Sequence, residues 1–273
     1  MLNIFLFFIL FCIVLPSCHT STEHTESQKD TTHKKEPARQ DLTAKTLNSI
    51  SDSVKPVFGY RFHIQGDFNG DGYKEVLKEH FINGITHQET NKFYQGLKDY
   101  DQLVALTIQK NPVSFFTCSD SQIDTLEIAS GGQLLGVAFA RNEGDLNQDG
   151  TDELSYVVNW ADWSNINTYV IMTYQNGKWE ELYTFGIWDW QLPDLPEVKN
   201  NYGLFGLVDK EIDDVSHDTT YQNAERDLKS FKGFIIQRRK GKIRIIQRNQ
   251  EAELDTIWVD LNRTSTKVDN TSQ

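Results

Sequence analysis

The hydrophobic pattern divides the chain into three regimes. Residues Leu2–Leu15 are almost wholly apolar, residues 19–56 carry few large apolar side chains, and short alternating runs fill the stretch from Val57 to Asn262. Alternation rich in β-branched and aromatic residues, bounded by Gly, Asn, Asp and Pro, predicts strands. The runs group into units. In one, 134–141 and 153–160 are followed by Thr168–Tyr174, the turn Gln175-Asn176-Gly177-Lys178, and Trp179–Phe185. Asn-Gly between alternating runs is the strongest short hairpin signal. An earlier unit has the same order: 58–65, 75–82, Leu103–Gln109, an Asn111-Pro112 turn and Val113–Cys118. A third holds Phe231–Arg239, a turn at Lys240-Gly241, Lys242–Gln247 and Leu254–Asp260. Four antiparallel strands make a propeller blade, and three units fall short of the roughly four to eight blades that close a ring. The pattern therefore predicts an all-β domain over 57–262, propeller-like or sandwich-like, of about three four-stranded units. Residues 263–273 read as a disordered tail.

Two of the predicted hairpin connections repeat one pattern, G-D-x-N-x-D-G-x-x-E, at Gly66–Glu75 and Gly144–Glu153. Asp67, Asn69, Asp71 and Glu75 stand at loop positions 1, 3, 5 and 9, as do Asp145, Asn147, Asp149 and Glu153. The glycine at position 6 lets the chain turn sharply enough for these oxygens to converge. Position 7, Tyr73 or Thr151, would supply only its backbone carbonyl, so its side chain is free to differ. Hard oxygen donors in this number suit calcium, and two calcium sites are expected. An EF-hand would place a bidentate Glu at position 12 between two helices. Here position 12 is Lys78 or Tyr156 and the flanks are strand-like. A calcium loop joining two antiparallel strands resembles the FG-GAP and VCBS-type repeats of β-propellers, which also occur in integrin α-subunit heads. The resemblance covers the ten residues of each loop and implies calcium-binding repeats. The other reading is a pair of D-G turns that bind nothing. A turn, however, needs only the D-G and not the Asp, Asn and Glu at fixed offsets.

The N-terminus bears on compartment. The apolar run is short for a membrane span and reads as a signal-peptide core over 1–17. Leu15-Pro16-Ser17-Cys18 resembles a bacterial lipobox, which implies cleavage before Cys18 and acylation of its sulfur, an anchor to the cell envelope. The segment before it has no Lys or Arg, a departure from the pattern. A plain secretory signal is the alternative, and either route exports the chain. Residues 18–56 then form a flexible tether, too poor in apolar side chains to offset the entropy of ordering. The tether's six basic and six acidic residues cancel, so the net charge of −12 belongs to the chain from Val57 onward. Such a domain repels nucleic acid and anionic lipid and favours divalent or basic partners. Of three cysteines, Cys12 is discarded and Cys18 lipidated, which leaves Cys118 as a buried, inert thiol.

Aromatic residues concentrate in the middle of the chain. Trp188 and Trp190 would share one face of an extended segment. Trp160 and Trp163 follow the strand after the second loop and would bring a ring near the metal. These four form a candidate ligand surface for a sugar ring or a partner side chain, although packing is the commoner fate of β-sheet aromatics. The chain holds no H-E-x-x-H, G-x-S-x-G, P-loop or G-x-G-x-x-G motif. The reading is a lipid-anchored, calcium-binding β-repeat module of the bacterial envelope, non-catalytic, presenting its surface to an envelope or extracellular protein or glycan, with no nucleic-acid partner. Two alternatives stay open: a glycan-acting enzyme built on a carboxylate pair, and an inhibitor or immunity-type lipoprotein that captures a basic partner.

Overall fold

Three antiparallel sheets follow one another along the chain, and the middle one is covered on both faces. The computed structural model describes residues 54–162, 164–193, 195, 228 and 230–262. The expected signal peptide, the Cys18 anchor, the tether up to residue 53, Trp163 and the 263–273 tail lie outside the described residues. The first sheet runs in the order β2 (His63–Gly66), β3 (Glu75–Ile82), β5 (Val113–Cys118), β6 (Leu126–Ser130). The second is a meander of β7 (Leu134–Gly144), β8 (Glu153–Trp160), β9 (Ile166–Gln175) and β10 (Lys178–Trp188). The third contains β11 (Ile235–Arg239), β12 (Lys242–Arg248) and β13 (Leu254–Asp260). A two-stranded ribbon pairs β1 (Lys55–Val57) with β4 (Phe93–Gln95). Among the described residues no sheet closes into a barrel; the protein is all-β and sandwich-like.

The period of two explains the layering. Along β8 and β9, Leu154, Tyr156, Met172 and Tyr174 join Phe62, Phe68, Leu77 and Phe116 in one core. Their neighbours Val157, Tyr169 and Ile171 join Phe234, Ile243, Ile245 and Val259 in the other. Successive side chains point to opposite faces, and here both faces are packed. That is why β7 and β8 read as nearly continuous apolar runs instead of a clean alternation. The hairpins expected at Asn176-Gly177 and Lys240-Gly241 are present, with φ of 53° and 77°, and 42° and 73°. Positive φ at both central residues gives the turn whose twist matches its strands.

Two ion pairs built on buried carboxylates pin the layers together. Lys92 and Glu79, both without solvent access, meet at 2.5 Å. Glu79 also accepts the N–H groups of Phe62 and Val137, and Lys92 donates to the Val137 carbonyl. Between the second and third sheets, buried Glu143 accepts from Arg238 at 3.0 Å, Ser155 at 2.9 Å and Tyr169 at 2.5 Å. Every oxygen of these carboxylates has a partner, the condition under which a buried ion pair is tolerated.

The pattern misleads in the first unit. Leu103–Gln109, expected as a strand, lies within helix α1 (Tyr100–Lys110). Its 103–108 stretch alternates in size as a strand would, and the ends decide. The Asp99 side chain caps the first turn by accepting the Gln102 N–H at 2.9 Å. Asp101 and Lys110 complement the helix dipole, and Asn111 closes the last turn at φ 44°. Tyr100, Leu103 and Thr107 then fall on one buried face at spacings of three and four. The fourth strand of that sheet is β6 instead, and the expected strand 58–65 shortens to β2. Among the described residues the third sheet has three strands. Lys55 and Pro56, assigned to the tether from sequence, pair with Gln95 and Tyr94.

Candidate metal centre

The two acidic loops connect β2 to β3 and β7 to β8, and they share one hydrogen-bond skeleton. At position 1, Asp67 accepts the N–H groups of Gly70 and Gly72, both at 2.9 Å. Asp145 accepts those of Gln148 at 2.6 Å and Gly150 at 3.1 Å. Asn69 and Asn147 each accept from the N–H two residues on, both at 3.0 Å. Asp71 and Asp149 do the same toward Tyr73 at 2.8 Å and Thr151 at 2.9 Å. Gly72 and Gly150 sit at φ 87° and 93° with open space where a Cβ would stand. Left-handed backbone, not crowding, is what reserves position 6 for glycine. Position 2 carries a role the sequence pattern missed. Phe68 and Leu146 are buried plugs, one in each core. Their N–H groups donate to the position-9 carboxylates, Phe68 to Glu75 at 2.9 Å and Leu146 to Glu153 at 2.5 Å. An apolar residue at that position in both copies was the available signal.

The loops differ in how far their oxygens converge. Asp67, Asp71 and Glu75 each offer an oxygen within 4.8 Å of the others, a set able to hold a cation. Asp145, Asp149 and Glu153 do not close to that spacing, and the amide of Gln175, from the β9–β10 hairpin, holds Asp149 Oδ2. Burial raises the Glu75 carboxyl pKa, the charges of Asp71 and Asp67 add to this, and the Phe68 N–H opposes it. Burial alone would raise Asp149 as well, but hydrogen bonds from Thr151, Asn147 and Gln175 outweigh it and hold it low.

Glu153 is the outlier. It is fully buried, and burial pushes its pKa up to about 8, with the charges of Asp149 and Asp145 contributing and the Leu146 N–H opposing. Its Oε1 lacks a hydrogen-bond partner of good geometry, and the Thr173 hydroxyl alongside lowers the pKa without offsetting burial. A buried carboxylate oxygen without a partner is costly. Beside two further carboxylates, a bound cation would supply what is missing.

The aromatic candidates lie elsewhere. Glu153 opens β8 and Trp160 ends it, seven residues on, a separation of about 23 Å at strand rise. Trp160 therefore does not bring a ring to the loop. Trp188 closes β10, whereas Trp190 lies in a 3₁₀ turn over Asp189–Gln191, so the two do not share a strand face. All three are half-buried. The ring beside the loops is Trp179, 5.8 Å from Phe68 and 5.3 Å from Tyr174. Among the described tryptophans only Trp258 is exposed, with the Arg239 guanidinium 5.3 Å over its ring. Asp189 lies at the end of the second sheet away from the loops. Burial raises its pKa to about 6 against a hydrogen bond from Asn167, and the charge of Asp162 adds to the rise. Cys118 is free and half-buried, with its thiol pKa raised chiefly by burial.

Stacked antiparallel sheets with paired acidic hairpin loops define the class to which this chain belongs on structural grounds. Compared with known proteins, the chain matches no family model, no curated protein and no solved structure.

Proposed function

We propose that the chain is an exported, lipid-anchored module in which the paired loops bind calcium and the metal stabilises the β-domain. The observation that carries this reading is the convergence of Asp67, Asp71 and Glu75, repeated in sequence at the second loop, where buried Glu153 keeps an unpartnered oxygen. Asp67, Asn69, Asp71, Glu75 and the Tyr73 carbonyl would hold one ion. Asp145, Asn147, Asp149, Glu153 and the Thr151 carbonyl would hold the other. Calcium supplies positive charge and oxygen coordination to loops whose carboxylates otherwise repel. Extracellular calcium modules bind at about 10⁻⁴–10⁻³ M, so a site outside the cytosol fills without a high-affinity cage. The lipobox-like Leu15–Cys18 supports the envelope assignment. The partner would be an envelope or extracellular protein or glycan.

Thermal unfolding in chelator and in millimolar calcium tests the metal. Saturation a hundredfold above the dissociation constant stabilises by about 2.7 kcal/mol per site, and an unchanged melting temperature would remove the assignment. Cys18→Ser tests the anchor: the wild-type chain partitions with membranes and the variant does not.

A further inference from the structure

The two loops, 78 positions apart in sequence, touch. Asp152, position 8 of the second loop, bonds both backbone groups of Asp67, position 1 of the first. Its Oδ2 accepts the Asp67 N–H at 3.0 Å, and its own N–H donates to the Asp67 carbonyl at 2.7 Å. Asn142 braces the clasp, donating to Asp152 Oδ2 at 2.7 Å and to the Gln65 carbonyl at 2.9 Å. The fit is close on both sides. A Cβ on Gly66 would stand 2.6 Å from the Asn142 amide, and one on Gly70 would stand 3.2 Å from the Gly150 carbonyl. Lys74 occupies the corresponding position of the first loop, so the clasp runs one way.

We propose that Asp152 is a positioning residue that couples the two loops into one cooperative two-ion unit. The inference rests on the calcium reading above. Asp152 is itself no donor in either loop, but it lies between Thr151 and Glu153, which are donors in the second. An ion that orders those two residues fixes the backbone at 152 and with it both backbone groups of Asp67. The first loop then binds without the ordering cost it bears alone, and reciprocity requires the same factor in the other direction. Electrostatics acts against this, because filling one loop neutralises charge that attracts the second ion. That term is screened over about 8 Å at physiological salt, whereas the backbone clasp is not. On this proposal the clasp outweighs the screened repulsion at 0.15 M salt, so the coupling should shrink as salt is removed.

Calcium titration calorimetry of the full chain tests the proposal with three comparisons. Asp149→Ala leaves the first loop alone and Asp71→Ala leaves the second, each by removing an exposed donor that does not touch the clasp. The wild-type product of binding constants should exceed the product of the two single-loop constants about fivefold or more, the low end of typical coupling. Asp152→Ala should bring that ratio to unity, and Asp152→Asn, which keeps an acceptor for the Asp67 N–H and loses the charge, should preserve it. A wild-type isotherm equal to the sum of the single-loop isotherms overturns the coupling and leaves the calcium reading intact. No binding heat in any variant at millimolar calcium overturns both.

Discussion

Replacing Glu153 by Gln should stabilise the metal-free protein and weaken its response to calcium. Glu153 has no solvent access, and its pKa rises from an ordinary 4.5 to about 8 on folding. A carboxyl whose folded pKa is raised contributes stability that is fully present below about pH 4.5 and lost as pH climbs to 8. Near pH 7 the folded state holds this proton and the unfolded state does not, so the group costs about 3 kcal/mol relative to pH 4. A glutamine escapes that cost. Its carbonyl still accepts the Leu146 N–H, and its amide is offered to the Thr173 hydroxyl, which is buried and without a partner.

In chelator at pH 7, Glu153→Gln should therefore melt higher by about 2 to 4 °C per kcal/mol, or roughly 6–12 °C in all. At pH 4 the difference should vanish. In millimolar calcium the order should narrow or reverse, because the wild type gains at both loops and the variant chiefly at the first. Scanning calorimetry at the two pH values, with and without calcium, reads all of these. A variant that is less stable than wild type in chelator at pH 7 would refute the reasoning, since it would show Glu153 satisfied without a metal.

Other sites give sharper structural checks. Lys92→Met should cost about 3–5 kcal/mol in urea unfolding, because it leaves Glu79 charged, buried and unpaired. Phe68→Ala should cost about 3–5 kcal/mol through the cavity it opens and should also weaken calcium binding at the first loop, since Phe68 carries the N–H that orients Glu75. Asp189→Asn should flatten the stability profile between about pH 4 and 6, where the wild type loses stability with rising pH because burial raises this carboxyl to about 6; unchanged slopes in pH-dependent melts would contradict its burial.

The strands of the second and third sheets were legible because their signals are local. Asn176-Gly177 and Lys240-Gly241 define their turns regardless of what packs around them. The first sheet was less legible, because the 103–108 alternation satisfies a helix and a strand equally and only the capping residues Asp99 and Asn111 separate the two. In the loops, the spacing of Asp, Asn, Gly and Glu gave the donor types and the left-handed glycine. It could not give the contact between loops, since Asp152 and Asn142 act across sheets and no periodicity links them to Asp67. The reach of Gln175 to Asp149 is likewise set by the end of the sheet at which the β9–β10 hairpin lies. The shared face expected of Trp188 and Trp190 is absent for a related reason: a spacing of two implies one face only while the strand continues, and β10 ends at Trp188.

The same geometry decides where a metal would have leverage. Each loop drives its position-2 side chain into a different core, Phe68 between the first and second sheets and Leu146 between the second and third. Each core plug carries the N–H that holds the position-9 carboxylate of its own loop. Ordering a loop therefore fixes a core plug, and the Asp152 clasp joins the loops that control the two. An ion at either loop would act on the packing of all three sheets through the central one, whose strands line both cores. Its effect should then appear as a shift of the whole unfolding transition. Protection confined to residues 67–75 or 145–153 in hydrogen exchange would instead mean that the plugs pack independently of the loops that carry them.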